Sequence, residues 1–276
     1  MARELEVSTR NARFQQWRSL LDNRTKRHQA GEFIVQGVRP ITLAVEQGWP
    51  LRALLYCSGR PLSKWALQVI STVRTAHFSV APELMEELGE KGSSAPELLA
   101  VAEMPRDDLS RVPAGPGMFA VVLDRPSAPG NVGTVVRSAD AFGATTVVVT
   151  GHGADPYDPK AVRASTGSLF SVPTLRAPGH REVLGWAESL RKAGTPVEIL
   201  GTDEHGELDI YDCDLHGPKV VVVGNETRGL STAWREACQH LVRIPIRGTA
   251  SSLNASLAAT IIFYEAARQR ERHQSR

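Results

Sequence analysis

The sequence predicts an α/β protein built of two domains, and three features lead to that prediction. Segments typical of strands and helices alternate along the 276 residues, strands in the second half contain runs of valine, and a polar Pro/Gly-rich segment separates the halves. Valine runs are typical of strands covered on both faces, as in a parallel sheet. We therefore expect a small α/β domain over 1–105, a linker over 106–116 and a second α/β domain with a parallel-type sheet over 117–276.

The elements of the first domain follow from the spacing of its apolar residues. In NARFQQWRSLLD these residues recur at helical spacing, which predicts an amphipathic helix over 11–22 with arginines on its outer face. The following segments predict, in order, the strand EFIVQG, the helix RPITLAVEQGW, the strand LRALLYC, the helix SKWALQVISTVR, the strand AHFSVA, the helix APELMEELGE and the strand PELLAVAEMP.

The second domain follows the linker RDDLSRVPAGP. Its predicted strands are MFAVVLD, TTVVVT, PVEILGTD and KVVVVGNE, and its predicted helices are NVGTVVRSADAFG, REVLGWAESLRKAG, STAWREAC and a long helix from about Ser252. Small and apolar residues form a stripe on that last helix: Ala255, Ala258, Ala259, Ile262, Phe263, Ala266 and Ala267. Such a stripe is typical of core packing, and its small residues also suit the close approach of a second helix.

Composition excludes several classes of protein. Apolar residues make up 42% and charged residues 22% of the chain, which is typical of globular proteins and not of disordered or collagen-like ones. No apolar run approaches the roughly 18 residues of a membrane span, and the N-terminus lacks the apolar stretch of a signal peptide. Cys57, Cys213 and Cys238 lie too far apart for a disulfide framework or a C-x-x-C clip. We expect a soluble, cytoplasmic protein without a metal site.

The distribution of charge is more informative than the net charge of +2. Between Thr9 and Arg39 stand seven Arg or Lys residues and only two acidic ones. Interleaved with aromatic residues, this patch suits an RNA phosphate backbone with stacking on bases, and it equally suits a solvated amphipathic helix. The candidate RNA contacts are Arg24, Lys26, Arg27 and Arg39.

Common enzyme motifs are missing from the chain. No G-x-G-x-x-G follows a strand, GNETRGL lacks the Lys-Ser/Thr of a phosphate loop, and neither H-E-x-x-H nor G-x-S-x-G occurs. These observations count against dehydrogenase, P-loop NTPase, zinc hydrolase and serine hydrolase functions.

Three polar segments instead follow strands of the second domain. They are 131–137 (NVGTVVR), 224–230 (GNETRGL) and 244–256 (IPIRGTASSLNAS). In open α/β sheets, ligands bind beyond the carboxyl ends of the strands. These segments therefore predict a ligand-binding site at the carboxyl ends of the strands.

Each residue of these segments also has a plainer interpretation. Asn131 suits a helix N-cap, and Arg137 suits a surface ion pair. Glu226 suits the first turn of a helix, and Ser251 or Ser252 suits the cap of the last helix with Asn254 in its first turn. Taken singly, none of them identifies a function.

The three segments together resemble a known family. The motifs N-x-G-x-x-x-R, G-N-E-x-x-G-L and I-P-I-x-G-x-x-S-S-L-N-x-S, in this order, resemble the signatures of the SpoU (TrmH-type) family of SPOUT methyltransferases. GEFIVQGVRPITLAVEQG is similar to that family's L30e-like substrate-binding domain, so the resemblance covers nearly the whole chain. RNARFQQW, GVRPITLAVEQGWP and TDEHG are similar to its avilamycin-resistance subgroup, which methylates a ribose 2′-hydroxyl of 23S rRNA.

The resemblance implies a cofactor and a fold. The cofactor is S-adenosylmethionine (AdoMet), and the activity is 2′-O-ribose methylation of RNA. By motif match, the backbone groups of Gly224, Ile244 and Leu253, together with Thr202, would bind the cofactor. The fold would contain a C-terminal trefoil knot, and the protein would form a two-fold homodimer through its second domain.

The resemblance also implies a catalytic set, with Arg137 at its centre and Asn131, Glu226 and Asn254 around it. A guanidinium is too weak an acid to lose its proton near neutral pH. We therefore expect Arg137 to hold a phosphate and stabilise charge on the attacking oxygen, with Glu226 orienting it. A role in antibiotic resistance follows from the subgroup alone. The alternatives are a methyltransferase for tRNA or another rRNA site, and a non-catalytic RNA-binding module.

Overall fold

The computed structural model describes residues 5–90 and 94–274, and these divide into two compact units. The first unit contains the described residues up to Pro105 together with Tyr157–Ser171. The second unit contains Arg106–Pro156 and the described residues from Val172 onward. Among the residues that the structure describes, every helix is too short or too polar to cross a bilayer.

Strands and helices alternate from Leu5 to Glu103. In chain order they are β1 (Leu5–Val7), α1 (Ala12–Asp22), α2 (Arg24–Ala30), β2 (Glu32–Gln36), α3 (Val38–Glu46), β3 (Leu51–Cys57), α4 (Lys64–Thr72), β4 (Ala76–Val80), α5 (Pro82–Leu88) and β5 (Leu98–Glu103). All the elements predicted for this part are present. The sequence did not predict β1 and α2.

The sheet of the first unit is mixed, with the strand order β1-β4-β3-β5-β2. β1, β4 and β3 run parallel, and β5 runs antiparallel to both of its neighbours. The Asn11 side chain caps α1 by accepting from the N–H of Phe14 at 3.0 Å. Phe14 and Trp17 are buried, as the predicted amphipathic helix requires.

The chain beyond the first unit's sheet begins with a 3-10 turn at Leu109–Arg111. The elements after it are β6 (Phe119–Asp124), α6 (Pro129–Ala141), β7 (Thr146–Thr150), α7 (Pro159–Ala164), β8 (Thr174–Ala177), α8 (His180–Lys192), β9 (Glu198–Thr202), β10 (Leu208–Asp209), β11 (Lys219–Val223), α9 (Thr232–Ala237), β12 (His240–Arg243) and α10 (Ala255–Gln274). The four predicted strands and four predicted helices are present, whereas α7, β8, β10 and β12 were not predicted.

The second unit contains a seven-stranded sheet in the order β10-β12-β9-β11-β6-β7-β8. Every pairing in it is parallel. All five residues of β11 and of β7 are buried, because helices and loops cover both faces of the sheet. The valine runs therefore predicted the sheet type correctly.

The units divide the chain differently from the predicted domains in two places. Residues 157–171, which the sequence placed in the second domain, pack in the first unit, where the ring centroid of Tyr157 lies 4.9 Å from that of Phe33. The predicted linker 106–116 belongs to the second unit, where Asp107 accepts from Arg176 and Val112 is buried in the core. Contacts with side chains that are distant in sequence thus hold each stretch in its unit.

The last helix begins three residues later than predicted. Asn254, and not Ser251 or Ser252, caps it, because the Oδ1 of Asn254 accepts from the N–H of Ser256 at 2.8 Å. Most of the predicted stripe is packed inside the unit, and its buried members are Ala259, Ile262, Phe263 and Ala266. The core-packing interpretation of the stripe is therefore correct.

Candidate active site

A pocket of about 310 Å³ lies beyond the carboxyl ends of β9, β11 and β12 in the second unit. Its walls come from the residues that follow these strands and from the first turns of α10. The sequence predicted a ligand site at such strand ends. Folding brings the second and third polar segments together here. Across the described residues, no group of three or more His, Cys, Asp and Glu side chains is placed to hold a metal ion.

The carboxylate of Glu226 joins the second motif to the first. The backbone N–H and the hydroxyl of Ser127 donate to its Oε2 at 3.0 and 2.9 Å, and the Nδ2 of Asn131 donates to its Oε1 at 2.9 Å. Burial raises the pKa of Glu226, but the donated hydrogen bonds outweigh burial and leave the pKa below its ordinary value. Glu226 is therefore an anion at neutral pH.

Asn131 lies in the first turn of α6, and it does not cap that helix. The N-cap is Ala128, so the N-cap interpretation of Asn131 is wrong and its amide is available for other bonds. Its Oδ1 accepts from the Nδ2 of Asn254 at 3.4 Å while its Nδ2 donates to Glu226. Asn131 is thus held on two sides, and all three motifs meet at this amide.

The loop between β11 and α9 closes on itself. Asn225 and Gly229 exchange backbone hydrogen bonds at 3.0 and 2.9 Å, and the Nδ2 of Asn225 donates to the carbonyl of Arg125 at 2.7 Å. A Cβ on Gly224 would lie 2.5 Å from backbone atoms of both Gly229 and Leu230. Only glycine fits this close approach, which shapes the pocket wall.

Arg137 is exposed on α6, six residues after Asn131. Within residues 5–90 and 94–274 its guanidinium has no ion pair or hydrogen bond. The predicted contact with Glu226 is not formed there, and the two oxygens of that carboxylate instead accept from Ser127 and Asn131. The guanidinium is consequently available to a ligand.

The four residues predicted to bind a cofactor all line the pocket. They are Thr202 at the end of β9, Gly224 after β11, Ile244 after β12 and Leu253 just before α10. Their side chains or backbone face one volume although they come from separate segments. The predicted set is therefore spatially coherent.

Sequence reasoning missed Ser127 and an ion pair between Asp203 and Arg235. The side chain of Asp203 is 4% exposed, and both members of the pair line the pocket. Ser127 stands in a Pro-rich turn, where a serine signals only a turn. Arg235 comes from α9, and nothing in the local sequence signals that this helix meets the end of β9.

One of the four predicted RNA contacts is not at the surface. The Arg27 side chain is 3% exposed, donates to the carbonyl of Leu20 at 2.9 Å and lies 3.5 Å from a carboxylate oxygen of Asp158. The prediction for Arg27 is wrong, because a guanidinium enclosed by these acceptors cannot reach a phosphate. The other three are half-buried or exposed: Arg24, Lys26 and Arg39.

Two segments of the chain match known families. Residues 118–264 match the model described as the SpoU rRNA Methylase family, and residues 11–100 match the SpoU L30e-like domain. The chain belongs to the SpoU rRNA methylase family. The resemblance stated from the three motifs is confirmed.

Individual SpoU relatives agree with this assignment. The 23S rRNA (uridine(2479)-2'-O)-methyltransferase of Streptomyces viridochromogenes is 57% identical over 264 residues, which cover 96% of this chain and 92% of that protein. The crystal structure of the SpoU methyltransferase AviRb from that organism, in complex with the cofactor AdoMet, is 58% identical with a TM-score of 0.92, covering 95% of this chain and 99% of that one. An AdoMet-bound rRNA methyltransferase from Sinorhizobium meliloti is 27% identical with a TM-score of 0.84, covering 96% and 98%. The predicted α/β fold is confirmed, and the knot stays a prediction.

Proposed function

We propose that this protein transfers a methyl group from AdoMet to a ribose 2′-oxygen of 23S rRNA. The observation that carries the proposal is the pocket at the strand ends, where residues of the second and third motifs meet beside the Asn131–Glu226 pair. The name of the relative at 57% identity and the AdoMet complex of AviRb support the same activity. Since its substrate is rRNA, we place the protein in the cytoplasm.

The residues of the pocket fit AdoMet. Apolar walls from Ile244 and Leu253 suit its adenine ring, and the carboxylate of Glu226 favours its positive sulfonium. The backbone of the Gly224 loop and of the chain after β12 supplies hydrogen-bonding groups beside these side chains. When bound, AdoMet supplies a methyl group activated by its attachment to a sulfonium.

We assign catalysis to positioning and electrostatics. The guanidinium of Arg137 is a planar cation with several N–H donors, so it holds a phosphate beside the target ribose and stabilises charge on the attacking oxygen. Asn131, fixed by Glu226 and Asn254 on its two sides, orients the ribose or the methionyl group. In-line alignment of oxygen, carbon and sulfur provides much of the acceleration.

We also propose a homodimer through the second unit, although not through the alanine stripe. The exposed face of α10 carries Leu257, Ile261 and Tyr264, which are 54%, 38% and 57% exposed. A contiguous apolar face of this kind suits a self-complementary two-fold contact. The ring of Tyr264 lies 5.9 Å from that of Phe142, the C-cap residue of α6, so the face continues to the end of the helix that carries Arg137.

Light scattering tests the dimer. We expect the wild type to be a dimer at micromolar concentration and Leu257→Glu combined with Ile261→Glu to be a monomer. Leu67→Glu places one such charge at a 54% exposed leucine in the first unit and should leave the dimer intact. A monomeric wild type contradicts the proposal.

A methyl-transfer assay tests the activity. Purified protein is incubated with methyl-labelled AdoMet and separate pools of 23S rRNA and tRNA, and the modified position is mapped by primer extension. We expect label at one ribose of 23S rRNA and none with Arg137→Ala. Label found only in tRNA would show that tRNA, and not 23S rRNA, is the substrate. AdoMet binding without methyl transfer to either pool would refute the enzyme function.

We further propose that this methylation protects the ribosome from an antibiotic, on the basis of the subgroup resemblance. A sensitive host expressing the wild type should tolerate more avilamycin than one expressing Arg137→Ala. Equal sensitivity of the two hosts, with the 23S rRNA methylated only in the first, would contradict this role.

A further inference from the structure

A second pocket, of about 320 Å³, lies within the first unit. We propose that it receives one unpaired nucleobase of the RNA substrate, turned out of its stack. This inference rests on the proposed function, in which RNA is the substrate, and it adds a base-binding subsite outside the methyl-transfer pocket. The volume suits this occupant, because the pocket assigned to the adenosine-containing cofactor is no larger at about 310 Å³.

The walls of this pocket are aliphatic. The apolar side chains that line it are Leu21, Ile34, Pro40, Pro159 and Val162. Enzymes that take a base out of its stack hold its faces between apolar or aromatic side chains and bind its edge by hydrogen bonds. These walls supply the first of these requirements.

Gln36 supplies the second requirement. It is the last residue of β2, half-buried and part of the pocket lining. Its side-chain amide forms no hydrogen bond with any residue in 5–90 or 94–274. An amide offers one acceptor oxygen and two donor hydrogens, which match the mixed donors and acceptors of a nucleobase edge.

The pocket rim contains a strained turn. Thr166 has a φ of +50°, a left-handed conformation that is rare for a β-branched residue. The next residue, Gly167, has a φ of +100°, and a Cβ there would lie 2.5 Å from the Cδ1 of Leu43. Strain of this kind persists where surrounding structure enforces it and is frequent at ligand sites. Here it holds Thr166 at the pocket.

The charge around the pocket favours a nucleotide. Arg39 lines the pocket, is exposed, and has no partner among the described residues. The acidic lining residue Glu90 forms an ion pair with Arg163 at 3.0 Å, so its charge is compensated. Arg39 can therefore bind the phosphate of a nucleotide whose base lies in the pocket, as in the recognition of unpaired RNA.

Arg27 is a positioning residue of this pocket. Its guanidinium donates to the carbonyl of Leu20 at 2.9 Å and to that of Leu21, a wall residue, at 3.3 Å. It also reaches Asp158, which precedes the opposite wall residue Pro159. The buried arginine thus ties together two walls contributed by distant parts of the chain.

A thermodynamic cycle between the protein and the RNA tests the subsite. A 23S rRNA fragment that contains the methylated ribose is prepared intact and with single abasic substitutions at its unpaired positions, and equilibrium binding is measured for the full-length protein. For the wild type we expect one abasic position to weaken binding about tenfold, a typical effect of one bound base. Gln36→Leu removes the edge hydrogen bonds and keeps the apolar walls, so it should weaken binding of the intact fragment and show a smaller further loss at that position than the wild type does. Gln68→Leu, at an exposed glutamine of α4, is the matched control and should behave as the wild type.

Val162→Phe is a second variant, which fills the pocket from its buried wall. Its thermal unfolding is recorded first, and we expect the folded variant to have the same reduced dependence on that base and a raised KM for RNA at unchanged kcat. Equal affinity of the wild type for intact and abasic fragments would overturn the proposal, as would an unaltered base dependence in Gln36→Leu. Methyl transfer by the wild type to 23S rRNA is measured separately, so failure of the proposed function remains distinguishable from failure of the subsite.

Discussion

Replacing Glu226 with Gln tests the hydrogen bonds that join the three motifs. The carboxylate accepts two bonds from Ser127, one from Asn131 and a longer one, at 3.4 Å, from Asn225, whereas glutamine has a single acceptor oxygen. If that oxygen faces Ser127, the new NH₂ group faces the Nδ2 donor of Asn131. Turning the Asn131 amide over would remove that conflict and create another with the Nδ2 of Asn254.

The variant therefore loses one hydrogen bond to a charged group and leaves one donor facing another. For fully buried groups this loss is about 1.5–3 kcal/mol. Glu226 is half-buried, and solvent screening lowers the expected loss to about 1–2 kcal/mol. In a chain of this size, 1 kcal/mol shifts the Tm by about 2–4 °C. The expected fall in Tm is about 2–8 °C.

The effect of this substitution depends on pH with a defined sign. The pKa of Glu226 is lower in the folded protein than its ordinary value. The carboxylate therefore contributes stability that is complete above the unfolded-state pKa, about 4.3, and is lost as the pH falls through the folded-state pKa. We expect the Tm curves of wild type and variant to differ at neutral pH and to converge as the pH falls through the folded-state pKa of Glu226.

Thermal unfolding followed by circular dichroism between about pH 7 and about pH 3 measures this difference. Glu204→Gln removes an equal charge from the same pocket at a side chain that is 52% exposed, and its Tm should change by less than about 2 °C. Identical Tm values for wild type and Glu226→Gln at neutral pH, or a difference that persists at low pH, would refute this role of the hydrogen bonds that the Glu226 carboxylate accepts.

Substitutions at three other places have distinct expected outcomes. Arg27→Ala removes a buried guanidinium and should lower the free energy of unfolding by about 2–4 kcal/mol in denaturant titrations. Lys26→Ala should leave the free energy of unfolding unchanged and reduce the salt slope of RNA binding by about one. If the two variants were equally stable and lost equal RNA affinity, the buried position of Arg27 would be contradicted. Gly224→Ala places a Cβ 2.5 Å from loop backbone and should weaken AdoMet binding at least about tenfold by calorimetry, while Gly185→Ala, with open space around its Cβ, should not. Arg137→Lys keeps the charge but loses the planar fork, so transfer should slow about 100-fold at unchanged AdoMet affinity; near-wild-type turnover would count against this role.

Local patterns in the sequence predicted most of the fold. The 3.6-residue spacing that buries Phe14 and Trp17 indicated α1, and the valines of β11 indicated a strand buried on both faces. These patterns are readable because they depend on neighbours within a few residues. The shortest elements left no such pattern: β1 has three residues and β10 has two, too few for a period to show.

The sequence also supplied the members of the candidate site but not all of their contacts. The motif order placed Asn131, Glu226 and Asn254 after strands, where a parallel sheet gathers its loops. Which acceptor each amide would use was not encoded locally, since Ser127 and Glu226 lie far apart in the chain. Nor did the local sequence indicate that Glu226 would accept from Ser127 and Asn131 and not from Arg137, since all three of those residues stand far from it in the chain.

Burial is what only the tertiary structure decided. Arg27 stands in a run of basic residues, which predicts an exposed side chain. It is nevertheless enclosed, because Asp158, 131 positions away, lies beside it. Residues 157–171 reach the first unit through aromatic contacts such as that of Tyr157 with Phe33. The chain by itself determined which segments are strands, helices and ligand-binding loops, because those follow from short-range spacing. Tertiary contacts decided which charges are buried, because the enclosing groups come from remote parts of the sequence.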